Sequence, residues 1–76
     1  MKTTQILLNT INDVKAFVNT VVKYDFDVDL ISGRYAIDAK SIMGIFSLDL
    51  SKPITLEAHT EDGAAFFEDI KDYIVK

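Results

Sequence analysis

The order of structural patterns in this sequence predicts an α/β domain of the α+β type. One four-stranded antiparallel sheet would carry three helices on a single face. Two observations lead to this prediction: apolar residues alternate with polar ones along residues 26–31 and 54–59, as in half-buried strands, and they recur with helical spacing in residues 11–23, 41–48 and 62–75. The segments follow one another as β-α-β-β-α-β-α, which packs most simply as an open two-layer sandwich. The length of 76 residues fits one domain, residues 1–76.

Composition excludes several classes of function. Apolar residues make up 49% of the chain, so we expect an ordered protein. The net charge of −4 disfavours nucleic acid and anionic membranes as partners, because both attract clustered Lys and Arg. The chain has no cysteine, and the apolar run after its first residues is too short for a signal peptide or a membrane helix. We therefore expect a cytoplasmic protein.

The first half of the chain predicts a strand at residues 3–8 and a helix at residues 11–23. Thr10 is a plausible N-cap for this helix, with Asp13 three residues later as an imperfect capping box. Five apolar residues fall on one helical face and predict its buried side: Val14, Phe17, Val18, Val21 and Val22.

A hairpin is predicted next, from strands at residues 26–31 and 34–38 joined by a tight turn at Ser32-Gly33. Glycine favours such a turn because it accepts positive φ. The first strand alternates apolar residues on one face with acidic residues on the other: Phe26, Val28 and Leu30 against Asp27 and Asp29.

A short apolar helix is predicted at residues 41–48, with Ser41 as its N-cap. Ile45 and Leu48 have the spacing of core residues. A helix on a sheet buries one face, so a second apolar face is predicted to be an exposed patch for a protein partner. This docking patch consists of Ile42, Met43 and Phe46.

The end of the chain predicts a strand at residues 54–58 and a helix at residues 62–75. The strand follows Pro53, which marks a turn. The helix has an apolar face that we expect to pack on the sheet: Phe66, Phe67, Ile70, Tyr73 and Ile74.

Neither a metal centre nor a cofactor is predicted. The aspartates at positions 25, 27 and 29 lack the Gly and Glu of a calcium loop. Alternate strand residues lie nearly 7 Å apart, too far for all three to share one ion. His59 is the only histidine, and we expect it to be exposed at a strand end, without a paired nucleophile or a second ligand at motif spacing. The chain is therefore not expected to be an enzyme.

The stretch from Asp38 to Leu48 resembles the HPr family, the small phosphocarriers of the bacterial sugar phosphotransferase system. The family's motif there runs close to Lys-Ser-Ile-Met-Gly-x-Met-x-Leu, and Lys40 to Gly44 match it contiguously. The resemblance extends over most of the chain, including a first helix that ends in Thr-x-x-Lys-Tyr (Thr20 to Tyr24). It implies the family's open-faced β-sandwich.

The resemblance also implies where the family's active site would lie. Family members carry phosphate on a histidine in a His-Ala-Arg-Pro-type motif at the start of the first helix. Counting back from Thr20 without gaps, Thr10 stands in the histidine's place, Asn12 in the arginine's and Asp13 in the proline's. Phosphohistidine transfer at this position is therefore not expected.

A regulatory role is the function that the resemblance implies instead. In Gram-positive members, the serine matching Ser41 is phosphorylated by a dedicated kinase, and the phosphoserine form joins a transcription regulator in catabolite repression. The patch matching Ile42, Met43 and Phe46 contacts such partners. One branch, the catabolite-repression HPr proteins, lacks the histidine and keeps the serine. Two alternatives remain: a phosphocarrier using another residue, for which only His59 offers itself, and a degenerate copy with an unknown partner.

Overall fold

The computed structural model describes residues 1–75 and has the predicted order of strands and helices. The elements are β1 (Lys2–Ile6), α1 (Ile11–Val21), β2 (Val28–Ser32), β3 (Tyr35–Asp38), α2 (Ile42–Phe46), β4 (Ile54–Ala58), α3 (Ala64–Asp69) and a short 3-10 helix (Lys71–Tyr73). The predicted fold class, an open antiparallel sheet with three helices on one face, is confirmed.

The sheet has the strand order β1-β4-β2-β3, and all its neighbouring strands are antiparallel. The last strand in sequence, β4, therefore lies in the interior of the sheet. Leu30 of β2 pairs with Leu56 of β4, and both are fully buried. The next pair, Asp29 and Glu57, points to the opposite face because side chains alternate along a strand. One face thus meets the helices and the other is open.

The core lies between the sheet and the helices and is entirely apolar in the part of the chain that the structure describes. Each strand and α-helix contributes at least one fully buried side chain except β3, which forms an edge of the sheet; the 3-10 helix contributes none. The largest of these side chains are Ile6, Leu8, Val14, Phe17, Val21, Val28, Leu30, Ile45, Ile54, Leu56, Phe66 and Ile70.

Two predictions for the first elements need correction. β1 ends at Ile6 rather than at residue 8, because its partner β4 begins at Ile54, directly after Pro53, which has no N–H to extend the ladder. Helix α1 ends at Val21, and Val22, predicted to be in the core, is its C-cap with 52% of its surface exposed. At this point the chain leaves the helix and turns toward β2, so the side chain of Val22 lies outside the core.

The predicted hairpin is confirmed with its turn shifted by one residue. Ser32 pairs with Tyr35, so the turn residues are Gly33 and Arg34 instead of Ser32 and Gly33. Gly33 has φ +60° and is the only described residue with positive φ. Positive φ at the first turn position alone is the pattern of a type II′ turn, which matches the twist of the flanking strands. The strand before it begins at Val28 rather than at residue 26.

The predicted helix at residues 62–75 is wrong in its length. Helix α3 ends at Asp69, the 3-10 helix follows, and Ile74 forms an isolated bridge with Ile6. The N–H of Leu7 donates to the Tyr73 carbonyl, and the N–H of Val75 donates to the Gln5 carbonyl, both at 2.8 Å. A continued helix would leave these groups on the edge of β1 without protein partners, and an unpaired strand edge is costly.

Candidate functional site

The start of α1 is a closed network of hydrogen bonds. Thr10 is the N-cap, as predicted, and its hydroxyl oxygen accepts from the N–H of Asp13 at 3.0 Å. The Asp13 carboxylate in turn accepts from the N–H of Asn9 at 3.1 Å. Burial, followed by the nearby carboxylates of Asp13 and Asp72, raises the pKa of the Tyr73 phenol. The start of α1 thus presents a threonine hydroxyl beside a carboxylate.

Replacing Thr10 by alanine is expected to destabilise the protein by about 1 kcal/mol, because the Asp13 N–H loses its acceptor at the helix end. Urea unfolding followed by circular dichroism measures this free energy. Thr10→Ser retains the hydroxyl and should stay close to the parent. Equal stability of Thr10→Ala and the parent would show that this cap contributes nothing.

Ser41 occupies the equivalent position at the start of α2. It is exposed, has extended backbone angles, and its hydroxyl oxygen accepts from the N–H of Gly44 at 3.1 Å. The predicted N-cap is confirmed. A Cβ on Gly44 would lie 3.2 Å from the Ser41 hydroxyl oxygen and 3.3 Å from Ile37 of β3. The missing side chain at Gly44 thus lets α2 approach β3 closely while Ser41 keeps its capping geometry.

The docking patch is divided between the surface and the core. Met43 is 77% exposed and Phe46 is 42% exposed, whereas Ile42 is half-buried and packs against the core. The predicted core residues of this helix, Ile45 and Leu48, are buried. The most exposed apolar surface of α2 is therefore formed by Met43 and Phe46, within one and a half turns of Ser41.

Two contacts fix the segment that leads into α2, and sequence reasoning missed both. The Lys40 ammonium donates to the Tyr24 carbonyl at 3.0 Å, which links the residue before Ser41 to the turn that follows α1. The Tyr24 hydroxyl donates to the Asp69 carboxylate at the end of α3. This hydrogen bond is the largest cause of the raised pKa of Tyr24, ahead of desolvation and the charge of Asp69. These two hydrogen bonds thus fix the position of the segment that carries Ser41.

His59 lies directly after β4 and is exposed, as predicted, but it has neighbours that its sequence position does not reveal. Its Nε2 atom lies 2.9 Å from a carboxylate oxygen of Asp29. Asp29, Glu57 and His59 each place one ligating atom within 4.8 Å of the others. The aspartates at positions 25 and 27 are not part of this group. Sequence spacing alone does not predict this cluster, because it depends on the pairing of β2 with β4.

Solved structures with the same architecture include two HPr proteins and the protein Crh. HPr-C-His from Thermoanaerobacter tengcongensis superposes with a TM-score of 0.79 at 26% identity, covering 95% of this chain and 89% of that one. The phosphocarrier protein HPr from Bacillus anthracis superposes at 0.73 with 20% identity, covering 97% and 96%. Crh, the catabolite repression containing protein of Bacillus subtilis, superposes at 0.66 with 25% identity, covering 93% and 88%.

The fold and its superpositions thus define an HPr-like α+β domain. The family model described as the PTS HPr component phosphorylation site matches residues 13–76. This chain therefore belongs to the HPr family of the phosphotransferase system. A comparison with curated protein sequences finds no significant match. The family match begins at Asp13, so the assignment of Thr10 and Asn12 to active-site positions stays a prediction.

No helix within residues 1–75 combines the length and the apolar character needed to cross a membrane. The same residues form no cavity in which a small molecule could be enclosed.

Proposed function

We propose that this chain is a regulatory member of the HPr family that acts through Ser41 and the docking patch, and that it does not carry phosphohistidine. The observation that carries the proposal is the position of Ser41, which is exposed at the N-cap of α2 beside the exposed side chains of Met43 and Phe46. A phosphate added there contributes about −1.5 to −2 charge at pH 7 next to an apolar contact surface. Modification and docking would thus be coupled on one helix.

The start of α1 supports the loss of carrier activity. A threonine hydroxyl forms a phosphate ester, which lacks the lability of the phosphoramidate that a reversible carrier needs. Asn12 supplies no positive charge for a phosphate. Asp13 places a carboxylate within the capping network around Thr10, where it would repel a phosphoryl group. Each of the three residues opposes phosphotransfer independently.

The proposed partners follow from family membership. They are an HPr-type serine kinase that modifies Ser41, and a transcription regulator or another phosphotransferase-system protein that docks on Ile42, Met43 and Phe46. The role would be control of sugar uptake by catabolite repression in a bacterial cytoplasm. The net charge of −4 favours protein partners over nucleic acid or anionic membranes.

Intact-mass spectrometry after two parallel incubations tests this proposal. One incubation contains phosphoenolpyruvate and enzyme I; the other contains ATP and an HPr-type serine kinase. We expect one acid-stable phosphate in the second incubation only. Ser41→Ala should abolish it, whereas Ser47→Ala, which removes an exposed hydroxyl at the other end of α2, should retain it. A kinase-dependent phosphate that survives in Ser41→Ala would refute the assignment.

A second candidate is a phosphocarrier that uses His59, and one observation favours it. The contact between Nε2 of His59 and the Asp29 carboxylate is of the kind that orients an imidazole. Glu57 opposes it, because a second carboxylate beside the ring repels phosphate. Acid-labile phosphate gained with phosphoenolpyruvate and enzyme I, and lost in His59→Gln, would establish this function. No phosphate in either incubation would favour a degenerate copy with another partner.

A further inference from the structure

We infer that the open face of the sheet carries a binding site for a divalent transition metal, formed by Asp29, Glu57 and His59. The site lies on the face of the sheet opposite the helices, so it is separate from Ser41 and the docking patch. It is independent of the proposed function, and either can hold without the other.

The sheet itself brings the three side chains together. Asp29 of β2 and Glu57 of β4 are direct cross-strand partners. His59 follows Glu57 by two residues, and its N–H donates to the Asp27 carbonyl at 2.9 Å, so the pairing of β4 with the β2 side continues to this residue. Residues two apart on a strand share a face, which places the imidazole beside both carboxylates.

The dimensions of the cluster fit a small ion. One ligating atom of each residue lies within 4.8 Å of the others, and Nε2 of His59 lies 2.9 Å from a carboxylate oxygen of Asp29. Zinc takes nitrogen and oxygen ligands at about 2.0–2.2 Å, so two ligands of a tetrahedral ion lie about 3.4 Å apart. Modest side-chain rotations therefore close the group around one ion, with water in the fourth position.

The donor set selects the class of metal. Calcium and magnesium take oxygen ligands in greater number, whereas an imidazole nitrogen with carboxylate oxygens suits zinc and its first-row neighbours. Two carboxylates also match the charge of a divalent ion.

Repulsion between the carboxylates of the cluster favours binding of a cation. Like charges placed directly opposite each other on adjacent strands repel, and Asp29 and Glu57 are such a pair. Both are half-buried, which limits screening by solvent. Since β4 pairs with β1 on one side and β2 on the other, the backbone that holds Glu57 is fixed on both edges.

Calorimetric titration of the untagged protein with Zn²⁺ tests the site. We expect one ion per chain, with affinity weakened at least about tenfold by His59→Gln and by Asp29→Asn. Asp38→Asn is the matched control. Asp38 also lies opposite Asp29 on the same face, but its carboxylate accepts from the N–H of Lys40 and is not one of the three ligating groups, so its removal should weaken binding much less than Asp29→Asn does.

Proton nuclear magnetic resonance supplies a second measurement. His59 is the only histidine, so its ring resonances are unambiguous and should shift or broaden with Zn²⁺ in proportion to occupancy. Circular dichroism of each variant confirms that the fold is retained. The site is overturned if His59→Gln binds Zn²⁺ like the parent, if the ring resonances do not respond, or if Asp38→Asn weakens binding as much as Asp29→Asn.

Discussion

Replacing Phe66 by alanine is expected to unfold a large fraction of the protein at 37 °C. Phe66 is 1% exposed, and its ring centroid lies 5.2 Å from that of Tyr24, 5.4 Å from Phe26 and 5.5 Å from Phe67. Removing a buried phenyl ring costs about 3–5 kcal/mol. A domain of this length has roughly 4–11 kcal/mol of total stability, so the loss consumes much of it.

Urea unfolding measures the free energy of unfolding of Phe66→Ala. Phe46→Ala is the matched control, because it makes the same substitution at an exposed position. Phe46 is 42% exposed on α2, so the same truncation should cost only about 1 kcal/mol. Comparable losses in the two variants would contradict the assignment of Phe66 to the centre of the core. The midpoint of thermal unfolding should follow the same order.

The second large effect is expected in binding. We expect Phe46→Ala, phosphorylated on Ser41, to bind the transcription regulator that recognises phosphoserine HPr about 30-fold more weakly than the parent. An aromatic side chain at the centre of an interface contributes about 2 kcal/mol or more when truncated. Phe46 is suited to that place because its ring is exposed beside Met43, while the helix beneath is anchored through buried Ile45. This prediction rests on the proposed function.

Surface plasmon resonance with the immobilised regulator measures the change. Tyr35→Ala provides the control, because Tyr35 is an aromatic residue with 71% exposure that lies beside the hairpin turn instead of on α2. Its affinity should equal that of the parent. A loss shared by both variants would indicate a nonspecific effect, and unchanged binding of Phe46→Ala would remove the docking patch from the interface.

The helix caps illustrate what could be predicted from the sequence. Thr10 and Ser41 were predicted as N-caps, and both accept a hydrogen bond from the backbone N–H three residues later. A cap depends on residues within one turn, so local sequence contains most of its physics. The hairpin was predicted for the same reason, although the turn moved by one residue to Gly33-Arg34 because strand register is decided by cross-strand pairing.

The length of the last helix shows where local patterns fail. The apolar spacing from Phe66 to Ile74 fits a continuous helix, but the chain unwinds after Asp69 and Ile74 pairs with Ile6. The competing interaction is with β1, about seventy residues earlier in the chain. Helical periodicity reports which side chains are apolar; it does not report that a distant strand edge needs partners.

The sequence by itself determined the fold class, the order of elements, the caps and the similarity to the HPr family, because these depend on short-range spacing and on a contiguous motif. The tertiary structure decided what is exposed and what is brought together. It buries part of Ile42 while leaving Met43 exposed, and it places His59 beside Asp29, thirty residues away in the chain. The pairing of β2 with β4 creates that proximity, and no local sequence pattern encodes it.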